Sequence, residues 1–158
     1  FSLIERFGTQ LNFDSNDRIT DWTDIDGNTM SFTYSGSNLS SVQDGFNRTL
    51  SLTYIGDHIS DVTDITGRSV SYGYDGNGDL KTFTDLNYKT WNYGYDSNHR
   101  MTSLQNPLGI TTATNTYDTL DRVVTQTVPR QSGTDAIYNF YFSCFTKRLP
   151  VIVKRAVA

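Results

Sequence analysis

The chain of 158 residues is 36% hydrophobic and 19% charged, with a formal net charge of -4, so it holds one domain or a slice of a larger one. No stretch approaches the roughly 18 consecutive apolar residues of a membrane-spanning helix, and an acidic chain without a basic stripe carrying stacking aromatics excludes nucleic acid as a partner. Sixteen of the seventeen acids are Asp and Ala occurs four times, whereas Thr (22), Ser (15), Asn (12), Gly (12) and Tyr (10) dominate. Helices lack their best formers, and the residues that remain suit pleated surfaces and turns. An all-β chain with many turns is expected. Leu, Ile, Val and Phe number 38, close to the lower limit for a packed interior, so the core is expected to be thin.

In chain order, residues 1–12 read as a lead-in. Phe1 is not an initiator and no charged-then-apolar leader follows it, so the chain reads as a piece of a longer one or a processed form, the piece being the favoured reading. From Phe13 a repeat begins. Phe13, Tyr34, Tyr54, Tyr74, Tyr95 and Tyr117 are spaced by 20 to 22 residues, and the segments they open superpose in four parts.

A polar turn follows the aromatic, as in Asp14-Ser15-Asn16-Asp17 and Asp96-Ser97-Asn98-His99. An apolar residue comes next (Ile19, Leu39, Ile59, Leu80, Met101, Val123), and three residues on a second one (Trp22, Val42, Val62, Phe83, Leu104). Residues three apart lie on opposite faces of a strand unless a bulge intervenes, and the sequence leaves both readings open. A second turn then starts at Asp24, Asp44, Asp64, Asp85 or Asn106, with Gly27, Gly67 and Gly109 in its fourth place. That pattern predicts a type I turn continued into a bulge. The fourth part alternates as a half-buried strand does: Met30, Phe32, Tyr34; Leu50, Leu52, Tyr54; Val70, Tyr72, Tyr74; Trp91, Tyr93, Tyr95.

Each unit is thus one β-hairpin, and about six stand in tandem over residues 13–128. A lone hairpin is marginal in water; hairpins side by side complete one another's edges in one sheet. The expectation is that equivalent aromatics stack in a ladder, Tyr34 beside Tyr54 and onward. The last unit is degraded, with Ala113 and Asn115 where other units carry large side chains. Residues 129–158 read as an irregular tail. Tyr138, Phe140 and Phe142 begin another unit, and Lys147, Arg148, Lys154 and Arg155 give a basic end, either a truncated terminus or an apolar strand guarded by charge.

Tyr95-Asp96 leading to Arg100-Met101, Tyr117-Asp118 leading to Arg122-Val123, and Asp64 leading to Gly67-Arg68 resemble the YD repeat of RHS proteins, a family that includes bacterial polymorphic toxins, Tc toxin shell subunits and the teneurin YD barrel. Ser35, Ile55 and Phe13 depart from the motif. The resemblance implies a spiral of hairpins forming a hollow shell or barrel, of which this chain would be a curved sheet, that encloses or displays a toxin or effector, in a secreted or cell-surface protein. The partners it implies are the remainder of a parent chain or an enclosed effector domain.

Catalytic and ligand signatures are weak. Asp75-x-Asn77-x-Asp79 opens like a calcium loop, but Leu80 and Leu86 stand where that loop needs Gly and Glu, so a hairpin turn is the better reading. His58 and His99 read as solvated turn residues, and the recurring Asp residues as turn formers. Two N-glycosylation sequons, at Asn38 and Asn47, read as chance matches in a chain rich in Asn, Ser and Thr. Cys144, the single cysteine, cannot build a disulfide framework or a zinc site alone and reads as a small apolar residue. No cofactor and no metal are expected. Tyr88, outside the alternating positions, is the candidate exposed ring for a glycan. The expected function is structural and non-enzymatic; the alternatives are a glycan- or partner-binding adhesion module and a homo-oligomer formed through open sheet edges.

Overall fold

The computed structural model describes residues 1–130 and 133–142, and residues 152–156 by their backbone alone. Contacts divide the chain into two units, Phe1–Tyr72 and Gly73–Ala158. All regular structure among the described residues is strand.

The first unit contains β1 (Ser2–Ile4), β2 (Gln10–Phe13), β3 (Ile19–Thr23), β4 (Thr29–Ser35), β5 (Asn38–Asp44), β6 (Thr49–Ile55), β7 (His58–Asp64) and the beginning of β8 (Ser69–Tyr74), which runs across the divide. Each strand pairs antiparallel with the next one in sequence. The second unit repeats this plan with β9 (Leu80–Thr84), β10 (Thr90–Tyr95), β11 (Met101–Gln105), β12 (Thr111–Tyr117), β13 (Val123–Val128), β14 (Ala136–Tyr141) and β15 (Ile152–Ala156). The fold is therefore the expected all-β series of tandem antiparallel hairpins. Residues 1–12 join in, with β1, a loop and most of β2 forming a hairpin of their own.

The open question about the first strand of each unit is settled by a bulge. Phe13 pairs with Ile19 and Asn12 with Asp21, so Thr20 is an extra residue. The same slip recurs at Ser40, Ser60, Thr102 and Val124. One inserted residue restores the face, so both apolar side chains of the strand meet the aromatic strand on one side: Ile19 opposite Phe13 and Trp22 opposite Leu11.

Loop geometry explains the uneven period. Where Asp follows the aromatic, the loop is a turn whose fourth residue has positive φ, at Asp17 (60°), Gly78 (85°), His99 (61°) and Asp121 (60°). Where Ser35 and Ile55 replace that Asp, the strands close more tightly: Ser35 pairs with Asn38 around Gly36, and Ile55 with His58 around Gly56. These two-residue loops shorten the period to 20. The last interval lengthens to 22 because β12 carries an additional bulge, with Gln105 opposite Thr111 and Leu104 opposite Ala113.

Each unit is a single layer. Among the described residues no side chain is fully buried, and Ala136, Ser60 and Asn115 are the most enclosed. The apolar face is half-covered by its own neighbours, and the opposite face carries polar rows. Asn12 donates to Asp21 at 2.6 Å, and Asp61 accepts from Ser71 at 2.7 Å and Thr53 at 3.0 Å. The expected tyrosine ladder is corrected by strand order: β5 lies between Tyr34 on β4 and Tyr54 on β6, so successive tyrosines are two strands apart, about 9.6 Å by sheet spacing. Tyr34 faces Leu39 and Tyr54 faces Ile59, within their own units.

Candidate functional site

The recurring construction of the chain is a loop joined to the hairpin beside it. Its frame is set by one acid. In the loop opened by Asp14, a carboxylate oxygen accepts the backbone N–H groups of Asn16 (2.8 Å) and Arg18 (3.1 Å). Backbone bonds close both ends, from Asp17 to Asp14 and from Asp14 to Arg18. The same frame stands at Asp24, Asp44, Asp64, Asp75, Asp85, Asp96, Asn106 and Asp118. Except after Tyr34 and Tyr54, both turns of a unit thus use one loop, with a short acceptor side chain first and a left-handed residue fourth. Gly27, Gly67 and Gly109 supply that fourth residue (φ 83°, 84° and 74°) at no steric cost.

The second carboxylate oxygen takes the residue in fifth place. Arg18 gives Nε and Nη2 to Asp14 (2.9 and 2.7 Å); Arg100 and Arg122 do the same with Asp96 and Asp118. These arginines hold the carboxyls of Asp14, Asp96 and Asp118 below the usual range, as Arg48 does for Asp44 and the Asn28 amide for Asp24. Asp75, without an arginine, is lowered mainly by the N–H groups of Asn77 and Asp79. Asp64 is pushed down furthest, first by the Thr66 hydroxyl.

In the loops that follow an aromatic, an arginine in fifth place also reaches the next unit. The guanidinium of Arg18 lies 4.5 Å from the Tyr34 ring centroid and donates to the Gly36 carbonyl. Arg100 lies 4.9 Å from the Tyr117 ring and donates to the Asp118 carbonyl at 3.1 Å and to Asp121 at 2.9 Å. Arg122 sits 4.4 Å from the ring of Phe142. The register requires this: extending the pairing of β3 with β4, of β11 with β12 and of β13 with β14 brings the fifth loop residue opposite the next aromatic. In the loop opened by Asp75 the fifth residue is Asp79. There His99, fourth in the following loop, faces it at 2.9 Å. Asp79–His99 and Arg100–Asp121 occupy the same two places, with the acid in fifth place in the first pair and in fourth place in the second. Tyr95, across from Asp79, has its phenol pushed up by burial and then by that carboxylate.

A second tie runs from the tyrosine. Tyr54 Oη donates to the Leu39 carbonyl at 2.9 Å and Tyr117 Oη to the Met101 carbonyl at 2.6 Å, so a hydroxyl crosses to the first apolar residue of the preceding unit. In the degraded unit Asn115 also donates to Met101 (3.2 Å) and accepts from Gln126 (3.0 Å). A hydrogen-bonded amide pair stands where other units set two apolar side chains.

The remaining expected residues are placed as follows. Phe13 stacks on Phe1 with centroids 4.6 Å apart, and Tyr74 ends β8. The Asp75 carboxylate is spent on loop N–H groups, and among the described residues no group of three His, Cys, Asp or Glu could hold a metal. His58 lies at the first position of β7. Tyr88 takes the left-handed fourth place (φ 59°) and is 89% exposed. Cys144 and the cations Lys147 and Arg148 lie outside the described residues; at Lys154 and Arg155 only the β15 backbone is described. The lateral ties escaped sequence reading because the fifth residue of the loops that follow an aromatic changes between Arg and Asp. The signal that could have found them is that the fifth residue comes 16 or 17 residues before the next repeat aromatic, as from Arg18 to Tyr34, Asp79 to Tyr95 and Arg100 to Tyr117.

No protein-family model and no curated protein matches the chain. Among solved structures, the crystal structure of TcdB2-TccC3-Cdc42 matches with a TM-score of 0.62 at 17% identity, over 85% of this chain and 8% of that one. The crystal structure of TcdB2-TccC3-TEV matches with a TM-score of 0.63 at 16% identity, over 88% of this chain and 9% of that one. The chain spans less than a tenth of the length of either. At these identities the likeness is one of fold: the hairpins are arranged as in a segment of the TcdB2-TccC3 Tc toxin shell.

Proposed function

We propose that this chain is a structural, non-enzymatic segment of an RHS-type β wall, part of a shell that encloses or displays a toxin or effector in a secreted or cell-surface protein. The observation that carries the reading is the pair of ties between neighbouring hairpins, arginine onto the next aromatic and tyrosine hydroxyl onto the preceding carbonyl. Both are devices for adding hairpins sideways, as expected where stability comes from nearest neighbours. The fold shared with TcdB2-TccC3 supports it. So does the half-covered apolar face, which needs a neighbour. Electron cryomicroscopy of the full-length protein that carries this chain tests it. A continuous hairpin wall around separate density is expected, and hairpins in a lobe enclosing nothing overturn it. Turnover of glycan or peptide by the purified chain would overturn the non-enzymatic part.

A second reading, glycan or partner binding, is favoured by Tyr88 alone. A bulky residue in the left-handed region costs about 1–2 kcal/mol, and strain kept at an exposed aromatic points to use. Glycan-array binding that disappears in Tyr88→Ala supports this reading; silence across the array removes it.

A further inference from the structure

The two ends of the hairpins differ. In the first unit the loops that follow the aromatics are polar, apart from Ile55. Each loop at the opposite end carries one exposed large apolar side chain: Phe7 (76% exposed), Ile25 (72%), Phe46 (76%) and Ile65 (67%). Loops at one end recur every two strands, about 9.6 Å apart, so these side chains form a row of knobs at a fixed pitch. Between them the apolar face opens into two grooves. One, of about 490 Å³, is lined by Met30, Val42, Leu50 and Ile65; the other, of about 370 Å³, by Trp22, Met30 and Phe46. Knobs and holes therefore share one pitch on one surface, and such a surface is complementary to itself.

Charge fixes the direction of that match. The Ile25 loop carries Asp24 and Asp26 and no base, whereas in the next loop Asp44 is paired with Arg48, whose side chain is 74% exposed, so that loop has no net charge. A parallel overlay would set like loops face to face, with Asp26 against Asp26. A two-fold pairing turns the row around, bringing the Ile25 loop of each copy over the Arg48 loop of the other, the isologous arrangement that closes as a dimer.

We propose that the loop end bearing Phe7, Ile25, Phe46 and Ile65 is a self-association surface on which a second copy of this chain docks antiparallel, knobs into grooves. This goes beyond the wall reading and does not depend on it. It is also distinct from pairing through sheet edges, because it uses side chains at loop tips rather than unpaired backbone.

Sedimentation velocity and light scattering from micromolar to near-millimolar chain test it. A concentration-dependent doubling of mass is expected, lost in the exposed-tip variants Phe46→Asp and Ile65→Asp, which keep the parent circular dichroism, and retained in Ile55→Asp at the opposite end. Arg48→Asp should weaken the dimer, and Asp26→Arg in the same chain should restore it. A monomer at every concentration overturns the proposal. So does association that survives the tip variants, or vesicle binding through the tips without dimerisation.

Discussion

The hydroxyl of Tyr54 donates to the carbonyl of Leu39 at 2.9 Å, joining one hairpin to the hairpin before it. Tyr117 repeats the contact with Met101, sixteen residues upstream. A net hydrogen bond of this kind contributes about 0.5–1.5 kcal/mol. Tyr54→Phe and Tyr117→Phe are therefore each expected to lose about that much in urea unfolding, with an unchanged m-value. Unaltered midpoints in both would mean that the hydroxyls exchange freely with water.

The arginines rank by what they touch. Arg100 binds Asp96, lies over Tyr117 and donates to Asp118 and Asp121 with its side chain 21% exposed, whereas Arg48 binds Asp44, lies 5.7 Å from Phe46 and is 74% exposed. Replacement by Lys keeps the charge and loses the planar fork and the stacking. Arg100→Lys should lower Tm more than Arg48→Lys, and equal shifts would show that the stacked position adds nothing.

Left-handed loop positions make opposite predictions for two residues. Tyr88→Gly should stabilise by about 1 kcal/mol, because glycine takes φ 59° without steric cost. Gly67→Ala, at φ 84°, should destabilise by a similar amount. Differential scanning calorimetry of the two variants reads both signs.

Acid should weaken the loops. The carboxyls of Asp14, Asp24, Asp44, Asp64, Asp75, Asp96 and Asp118 are all lowered in the folded chain. Their contribution is therefore present above the unfolded carboxylate range and is lost as pH falls through the folded values. Tm should hold from neutrality to about pH 5 and fall below about pH 4. Asp64→Asn should fall less steeply, and a wild-type Tm independent of pH down to about 3 would contradict the assignment.

The amide pair of the degraded unit gives a coupled prediction. Asn115→Leu strands the Gln126 amide and removes one of the two donors to the Met101 carbonyl, which keeps the Tyr117 hydroxyl, and should cost about 1–3 kcal/mol. Adding Gln126→Leu restores the apolar pair that other units carry, so the double variant should recover part of that loss in denaturant melts.

Much of this architecture is legible in the residues, because alternation from Met30 to Tyr34 and an Asp-to-Gly loop such as Asp24 to Gly27 are local signals. The bulge at Thr20 was not decidable from sequence, since an insertion leaves no residue type behind it. Tyr34 and Tyr54 looked like neighbours because the period counts whole hairpins and hides the strand between them. The place of Phe142 under Arg122 stayed hidden for a similar reason: seven residues separate β13 from β14, against five between β11 and β12, so the period fails in sequence although the pairing continues. The ties themselves join positions whose identity changes from Arg100 to Asp79, and only pairing shows that these occupy one place.

The central claim, that a loop arginine grips the aromatic of the hairpin beside it, is tested most directly by a double-mutant cycle on Arg100 and Tyr117 by urea unfolding. With Arg100→Gln and Tyr117→Leu, the summed single losses should exceed the loss in the double variant, because each single change removes the same contact. Strict additivity would show that the two residues stabilise their hairpins independently, and would contradict the account.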